Sequence, residues 1–247
     1  GYINLLQNQA KTQYNRELFI SRDIICGMGF FEPMIGRISG LISDNTRDLN
    51  RDHIRVLDAG CGEGSHLVQI TDDLSAKTDI RFQGVGTDIS KAGIKIASKN
   101  NSDIIWCVAD LARLPFANKR FDVVLNILSP ANYREFNRII KDDGLLIKVV
   151  PGNCYLKELR SVFYHGTGRK PYSSDRVVEY FGSNFKIIDI QRIEYHIEID
   201  GGNLEHLIRM TPLSWGVPAD RIRKVLDMGI DSVSVDFTIV SGKRKAV

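Results

Sequence analysis

The chain is poor in the features that mark membrane, secreted or metal-centred proteins. Its four cysteines, Cys26, Cys61, Cys107 and Cys154, are widely separated, so no CxxC pair exists to seed a zinc site or a redox motif. No stretch approaches the roughly eighteen apolar residues of a membrane span, and no apolar signal core stands near the start. A reducing, cytoplasmic setting is therefore expected. Internal repeats and low-complexity tracts are missing too, which argues against a solenoid or a disordered tail. Charge of either sign is scarce in excess: the net charge is +3, which permits an anionic partner without demonstrating one.

What remains is a chain of 247 residues, 43% hydrophobic, enough for one substantial core without disulfides or metal. Residues 1–50 read as a helical segment, with Gly27, Gly29 and Pro33 breaking it into two helices. From residue 51, strands and helices alternate. "IRVLDAG", "RFQGVGTDI", "DIIWCVAD", "FDVVLNIL" and "LLIKVVPG" read as five strands, with helices over 65–73 and 91–99 and a third in "NYREFNRIIKDDG" that stops at Gly144. Beyond Pro151, helices are expected over 155–164, 174–181, 204–210 and 219–226. "FKIIDIQRIEYHIEID" and "DSVSVDFTIVSGKRK" alternate as strands, the last of them antiparallel. The expected fold is α/β and Rossmann-like: a seven-stranded, mostly parallel sheet with an antiparallel last strand, plus N-terminal helices. Its ligand crevice should lie at the carboxyl ends of the strands.

The stretch "VLDAGCGEGSHLVQI" carries the chemistry. Gly60, Gly62 and Gly64 form a GxGxG turn between a strand and a helix, where backbone can approach a ligand closely. A dinucleotide site prefers GxGxxG and a phosphate at the helix start, whereas here Asp58 ends the strand. A carboxylate is awkward beside a pyrophosphate but suits a ligand with an ammonium, as in S-adenosylmethionine. Asp88 ends the second strand, placed to accept from ribose hydroxyls, with a helix-start signal as the competing reading. Asp110 follows the third strand and could accept from an adenine amine, with Leu111 against the ring, or be an ordinary loop acid. Cys61 reads as a packing residue, because no base is placed beside it.

These residues resemble the class I S-adenosylmethionine-dependent methyltransferases. More narrowly, "GYINLLQNQAK", "VLDAGCGEG", "GTDISKAGIKIASK", "VADLARLPF", "VVPGNCYLKEL" and "LIRMTPLSWGVP" make the chain similar to bacterial 23S rRNA (guanine-N1)-methyltransferases of the RlmA type. The resemblance implies methyl transfer from S-adenosylmethionine, with S-adenosylhomocysteine as product, to N1 of a guanine in a hairpin loop of 23S rRNA. It further implies a link to macrolide-type antibiotic response and a homodimer. It places the cofactor against Asp58, Gly60, Cys61, Gly62, Gly64, His66, Asp88, Ile89, Asp110, Leu111 and Asn126. The N-terminal segment, through Gln9, Lys11 and Arg22, would cover the pocket. No metal site is expected within these residues. Zinc would belong to a cysteine-rich module that family members carry ahead of the opening segment, and the start at Gly1 suggests a trimmed N-terminus.

No residue declares itself the catalytic base for the guanine N1 proton. Asn126, Ser129 and Pro130 follow the fourth strand, where substrate-facing residues of nucleic-acid methyltransferases lie, without the NPPY or DPPY of amino-methylating enzymes. Trp215 could stack on a flipped base or anchor its own segment, and His165 could meet RNA or sit in a solvated loop. Tyr155 stands where relatives often have histidine. Arg169/Lys170, Arg221/Arg223/Lys224 and Lys243/Arg244/Lys245 are candidate phosphate contacts. Two other functions fit the same fold: a small-molecule methyltransferase acting on a quinone or metabolite, and a non-catalytic RNA-binding or ribosome assembly factor.

Overall fold

A computed structural model describes residues 1–6, 13–49, 51–168 and 173–245. Strands β1 (Ile3–Asn4), β2 (His53–Ala59), β3 (Arg81–Asp88), β4 (Ile105–Val108), β5 (Phe121–Ile127), β6 (Ile140–Pro151), β7 (Phe185–Glu198) and β8 (Ser232–Arg244) form a single sheet. Their order is β1-β4-β3-β2-β5-β6-β8-β7. Only β8 runs antiparallel, to β6 on one side and β7 on the other. From β2 the chain winds outward through β3 and β4, then crosses back to β5 and β6. The switch point therefore lies between β2 and β5, which pair through Val56–Asp58 and Val123–Leu125.

Among the described residues the sheet has eight strands rather than seven. The additional one, β1, pairs in parallel with Cys107 and Val108. Two residues carry no alternation, so the sequence offers no period from which to read it.

Alternation along the inner strands builds two cores. Val56, Val123, Ile147 and Ile239 face one layer, and Leu57, Val124, Leu146 and Val240 face the other. The first layer holds helices α1 (Arg16–Gly27), α2 (Glu32–Thr46), α3 (Ser65–Lys77) and α4 (Lys91–Asn100), with Phe30, Phe31, Met34, Ile38 and Ile42 fully buried. Asn15 caps α1 by accepting from the Leu18 amide at 2.9 Å, and Pro33 sits in the first turn of α2. Gly29, at φ 83°, makes the turn between the two helices.

The helix expected to run to Gly144 is shorter. Helix α5 (Tyr133–Ile139) starts at an Asn132 cap and gives way at once to β6, where Ile140 pairs with Phe121. The Arg138 and Ile139 carbonyls accept from the Lys119 and Arg120 amides, so the chain leading into β5 ends the helix. Gly144 is required for another reason: a Cβ there would lie 2.6 Å from the Ile140 side chain. Helices α6 (Lys157–Phe163), α7 (Asp175–Asn184), α8 (Gly201–Met210) and α9 (Ala219–Asp227) complete the chain close to their expected places. No helix among the described residues is long and apolar enough to cross a membrane.

Candidate active site

The three glycines after β2 each meet a different neighbour. Gly60, Gly62 and Gly64 have φ of 92°, 60° and 88°, a region costly for residues with a Cβ. A Cβ on Gly60 would lie 1.9 Å from Ser129 Oγ, one on Gly64 2.3 Å from the Trp106 ring, and one on Gly62 3.2 Å from the Phe19 ring. The loop is tied to β3, because the Gly60 and Cys61 amides both donate to the Thr87 carbonyl, at 2.8 and 3.1 Å. Gly64 is the N-cap of α3, so Asp58 does not cap that helix.

Asp58 is 1% exposed, and its Oδ1 has no hydrogen-bond partner among the described residues. Burial pushes its carboxyl up to about 7, with Arg22 pulling it down and Asp88 and Glu63 pushing it up. Asp88 accepts from the Gly62 amide at 2.9 Å and from the Ser90 amide at 2.7 Å, and Ser90 caps α4. It thus orders both the loop and the helix start. Burial raises its carboxyl, and those amide bonds offset part of the rise. Asp110 makes a local turn by accepting from the Ala112 amide at 2.8 Å. Next to it, Leu111 Cδ1 lies 3.8 Å from where a Gly60 Cβ would be, so the ends of β2, β3 and β4 meet on one rim.

Helix α1 lies on this rim. Arg22 Nε is 2.8 Å from Glu63 Oε2, and Nη2 is 3.1 Å from His66 Nδ1. Gln69 donates to the Cys26 carbonyl at 3.2 Å. Phe19, against Gly62, stacks on Tyr14 with centroids 6.2 Å apart, and Tyr14 meets the edge of Trp215 at 5.1 Å. The Tyr14 hydroxyl is raised by burial and by Asp88, while Arg22 lowers it, so this ring belongs to the same electrostatic neighbourhood. His66 is buried between Arg22 and Phe31, its imidazole held neutral by burial and by the nearby guanidinium. Cys61 is 1% exposed and its thiol is pushed well up by burial, as befits a packing residue. Glu63, Tyr14 and Lys148 belong to this site although no motif announced them. Glu63 lies between Gly62 and Gly64 of the loop.

The residues at the end of β5 and just after it divide. Ser129 faces Gly60. Asn126 is fully buried, its amide donating to the Ala59 and Pro130 carbonyls at 2.7 and 3.0 Å and accepting from Lys148 at 2.6 Å. Asn132, besides capping α5, donates to the Leu111 carbonyl at 3.0 Å and ties this loop to the one after β4. His165 is exposed in the turn after α6. Tyr155 is buried against Phe237, its hydroxyl raised by burial. Gln9, Lys11, Arg169 and Lys170 lie outside the described residues.

Several other expected contacts are taken up internally. Arg221 donates to the Phe163 carbonyl, Arg244 pairs with Asp142 and Lys245 donates to the Ser183 carbonyl, whereas Arg223 and Lys224 are exposed on α9 and Lys243 is half-buried on β8. Cys154, Glu194 and Asp236 come within metal-ligating distance of one another, but the Arg192 guanidinium lies among them. It donates to Asp236 at 2.8 Å and to Glu194 at 3.1 Å, and so supplies the cation. Asp236 also accepts from the Cys154 amide and lies where a Gly152 Cβ would fall, which accounts for the glycine in "VPG".

A family profile described as "Methyltransferase domain" matches residues 56–144. The solved structure of the YcgJ protein of Bacillus subtilis superposes with a TM-score of 0.58 at 17% identity, covering 85% of this chain and 98% of that one, which shows a shared fold. In sequence, the chain is 42% identical over 246 residues to "Putative 23S rRNA (guanine-N(1)-)-methyltransferase YxjB" of Bacillus subtilis, spanning 99% of this chain and 86% of that one. It is 26% identical to the 23S rRNA (guanine(748)-N(1))-methyltransferase of Streptomyces fradiae, over 97% of this chain and 85% of that one. With β2, β3 and β4 presenting their acids around a glycine loop, and a relationship that runs the length of the chain, the protein belongs to the family of 23S rRNA (guanine-N1)-methyltransferases.

Proposed function

We propose that the protein transfers a methyl group from S-adenosylmethionine to N1 of a guanine in a 23S rRNA hairpin loop, in the cytoplasm. The full-length 42% identity to YxjB carries this reading, because it includes the segments on both sides of the cofactor loop. The site fits the cofactor: a buried carboxylate, one of whose oxygens has no hydrogen-bond partner among the described residues, stands at the end of the strand that leads into the glycine loop.

Asp58 would hold the ammonium and Arg22 the carboxylate of the amino-acid end. Asp88, each of whose oxygens keeps a lone pair after one backbone bond, would take the ribose hydroxyls. Asp110, Leu111 and Ile89 would take the adenine. Residues 1–50 would form the cover of the pocket and 51–247 the methyltransferase domain. The cofactor supplies an electrophilic methyl and its own leaving group. The protein's share is to align the guanine, exclude water with α1 and the Tyr14–Trp215 pair, and stack the base on Trp215.

Primer extension on rRNA from cells lacking the gene tests the assignment. N1 methylation blocks the pairing edge and stops reverse transcriptase, so one stop should vanish and return on complementation. A stop pattern identical in both strains would sink it.

A further inference from the structure

Lys148 stands out among the buried charges. It lies on β6, is 4% exposed, and donates to Asn126 Oδ1 at 2.6 Å and to the Ser129 carbonyl. Burial alone lowers its ammonium to about 8, and no carboxylate is paired with it among the described residues. An uncompensated buried cation is costly, and an apolar residue of the same volume would pack there without that cost. The position thus calls for a reason other than stability.

The bonds around Lys148 point to one. Accepting from Lys148 turns the Asn126 amide so that its nitrogen donates to the Ala59 and Pro130 carbonyls. One lysine therefore joins the ends of β2, β5 and β6 to the segment 128–130. That segment needs holding: Leu128 has φ 52°, unfavourable for a residue with a Cβ, and its amide donates to the Val149 carbonyl of β6 at 3.1 Å. What the segment carries is Ser129, whose Oγ lies over Gly60 at the switch point of the sheet.

We propose that Lys148 is a positioning residue for methyl transfer, clamping residues 128–130 over the glycine loop so that they form a fixed wall of the crevice the target base enters. The proposal rests on the function given above. Lys148 does not touch the base; it acts through Asn126 and the Ser129 carbonyl. Misplacing such a wall by about 1 Å is enough to cost roughly 100-fold in turnover.

The test compares wild type, Lys148→Met and Lys148→Arg in three measurements: methylation of unmodified 23S rRNA, S-adenosylmethionine binding by calorimetry, and hydrogen exchange followed by mass spectrometry. The Met variant should lose about 100-fold in kcat, with KM for RNA and cofactor Kd changed less than about threefold. Exchange should quicken in the peptide 126–133 and stay unchanged in α3 and β8, and the Arg variant should recover at least tenfold of the lost turnover. Wild-type kcat in Lys148→Met, or exchange quickened uniformly through the chain, would overturn the proposal. If wild type itself leaves 23S rRNA unmethylated, the functional reading fails instead, and the exchange at 126–133 still decides the clamp: no local change rejects it.

Discussion

At the scale of single residues, Asp58, proposed to hold the cofactor's ammonium, is kept at a cost to stability. Its folded carboxyl, near 7, lies above the ordinary aspartate value, so the folded state binds more protons than the unfolded one between about pH 4 and 7. Stability from this group is present below that window and is lost as pH rises through it. Asp58→Asn should therefore raise the melting temperature at pH 8 by roughly 3–6 °C, equivalent to about 1–2 kcal/mol, while loosening S-adenosylmethionine by about 100-fold. Scanning calorimetry and titration calorimetry on the same preparation check both halves. The same group predicts a pH effect: an ammonium favours the carboxylate, so cofactor binding at pH 7 should release protons, and affinity should fall as pH drops below 7. Titrations in two buffers of different ionisation heat measure the sign. Asp58, Asp88 and the glycines were legible in the sequence because each is dictated by its own backbone position at a strand end. Lys148 and Glu63 were not, since a buried lysine in "LLIKVV" or a glutamate between glycines looks like any solvated charge until its neighbours are known.

At the scale of elements, α1 and the loop it covers depend on one buried pair. Removing Arg22 leaves Glu63 buried and unpaired, which costs about 3–5 kcal/mol, whereas removing both charges restores most of that. Denaturant unfolding of Arg22→Met, Glu63→Met and the double variant should show this non-additivity; additive losses would mean that the pair is not coupled. Gly64→Ala should destabilise more than Gly166→Ala, because the first drives a Cβ into Trp106 and the second meets nothing, although both have positive φ. Boundaries fixed by local chemistry were readable here, such as the Gly29 and Pro33 break between α1 and α2. The end of α5 was not, because tertiary pairing of Phe121 with Ile140 ended that helix five residues before the glycine that looked like its stop.

At the scale of the whole molecule, the parallel order and the antiparallel final strand followed from the alternation of periods along the chain, while β1 and the pairing of β8 between β6 and β7 required the structure. The charge surface narrowed as well. Among the described residues of the basic clusters, Arg221, Arg244 and Lys245 are engaged by protein partners, while Arg223 and Lys224 stand exposed on α9. Replacing both with alanine should weaken RNA binding and lower the slope of log K against log salt by about 1–2, with cofactor affinity unchanged. Filter binding across a salt series measures it.

The seating of α1 and α2 also sets an order in which contacts can form during folding. Ser21 bonds His206 at 3.1 Å, the Tyr195 hydroxyl donates to the Phe30 carbonyl at 2.8 Å, and Tyr14 meets Trp215. Helices α1 and α2 thus have partners 165 or more residues farther along the chain, contacts whose high sequence separation makes them late to form. A fragment ending before residue 195 would lack these three contacts, while the Arg22–Glu63 and Gln69–Cys26 links would still tie α1 to the glycine loop and α3.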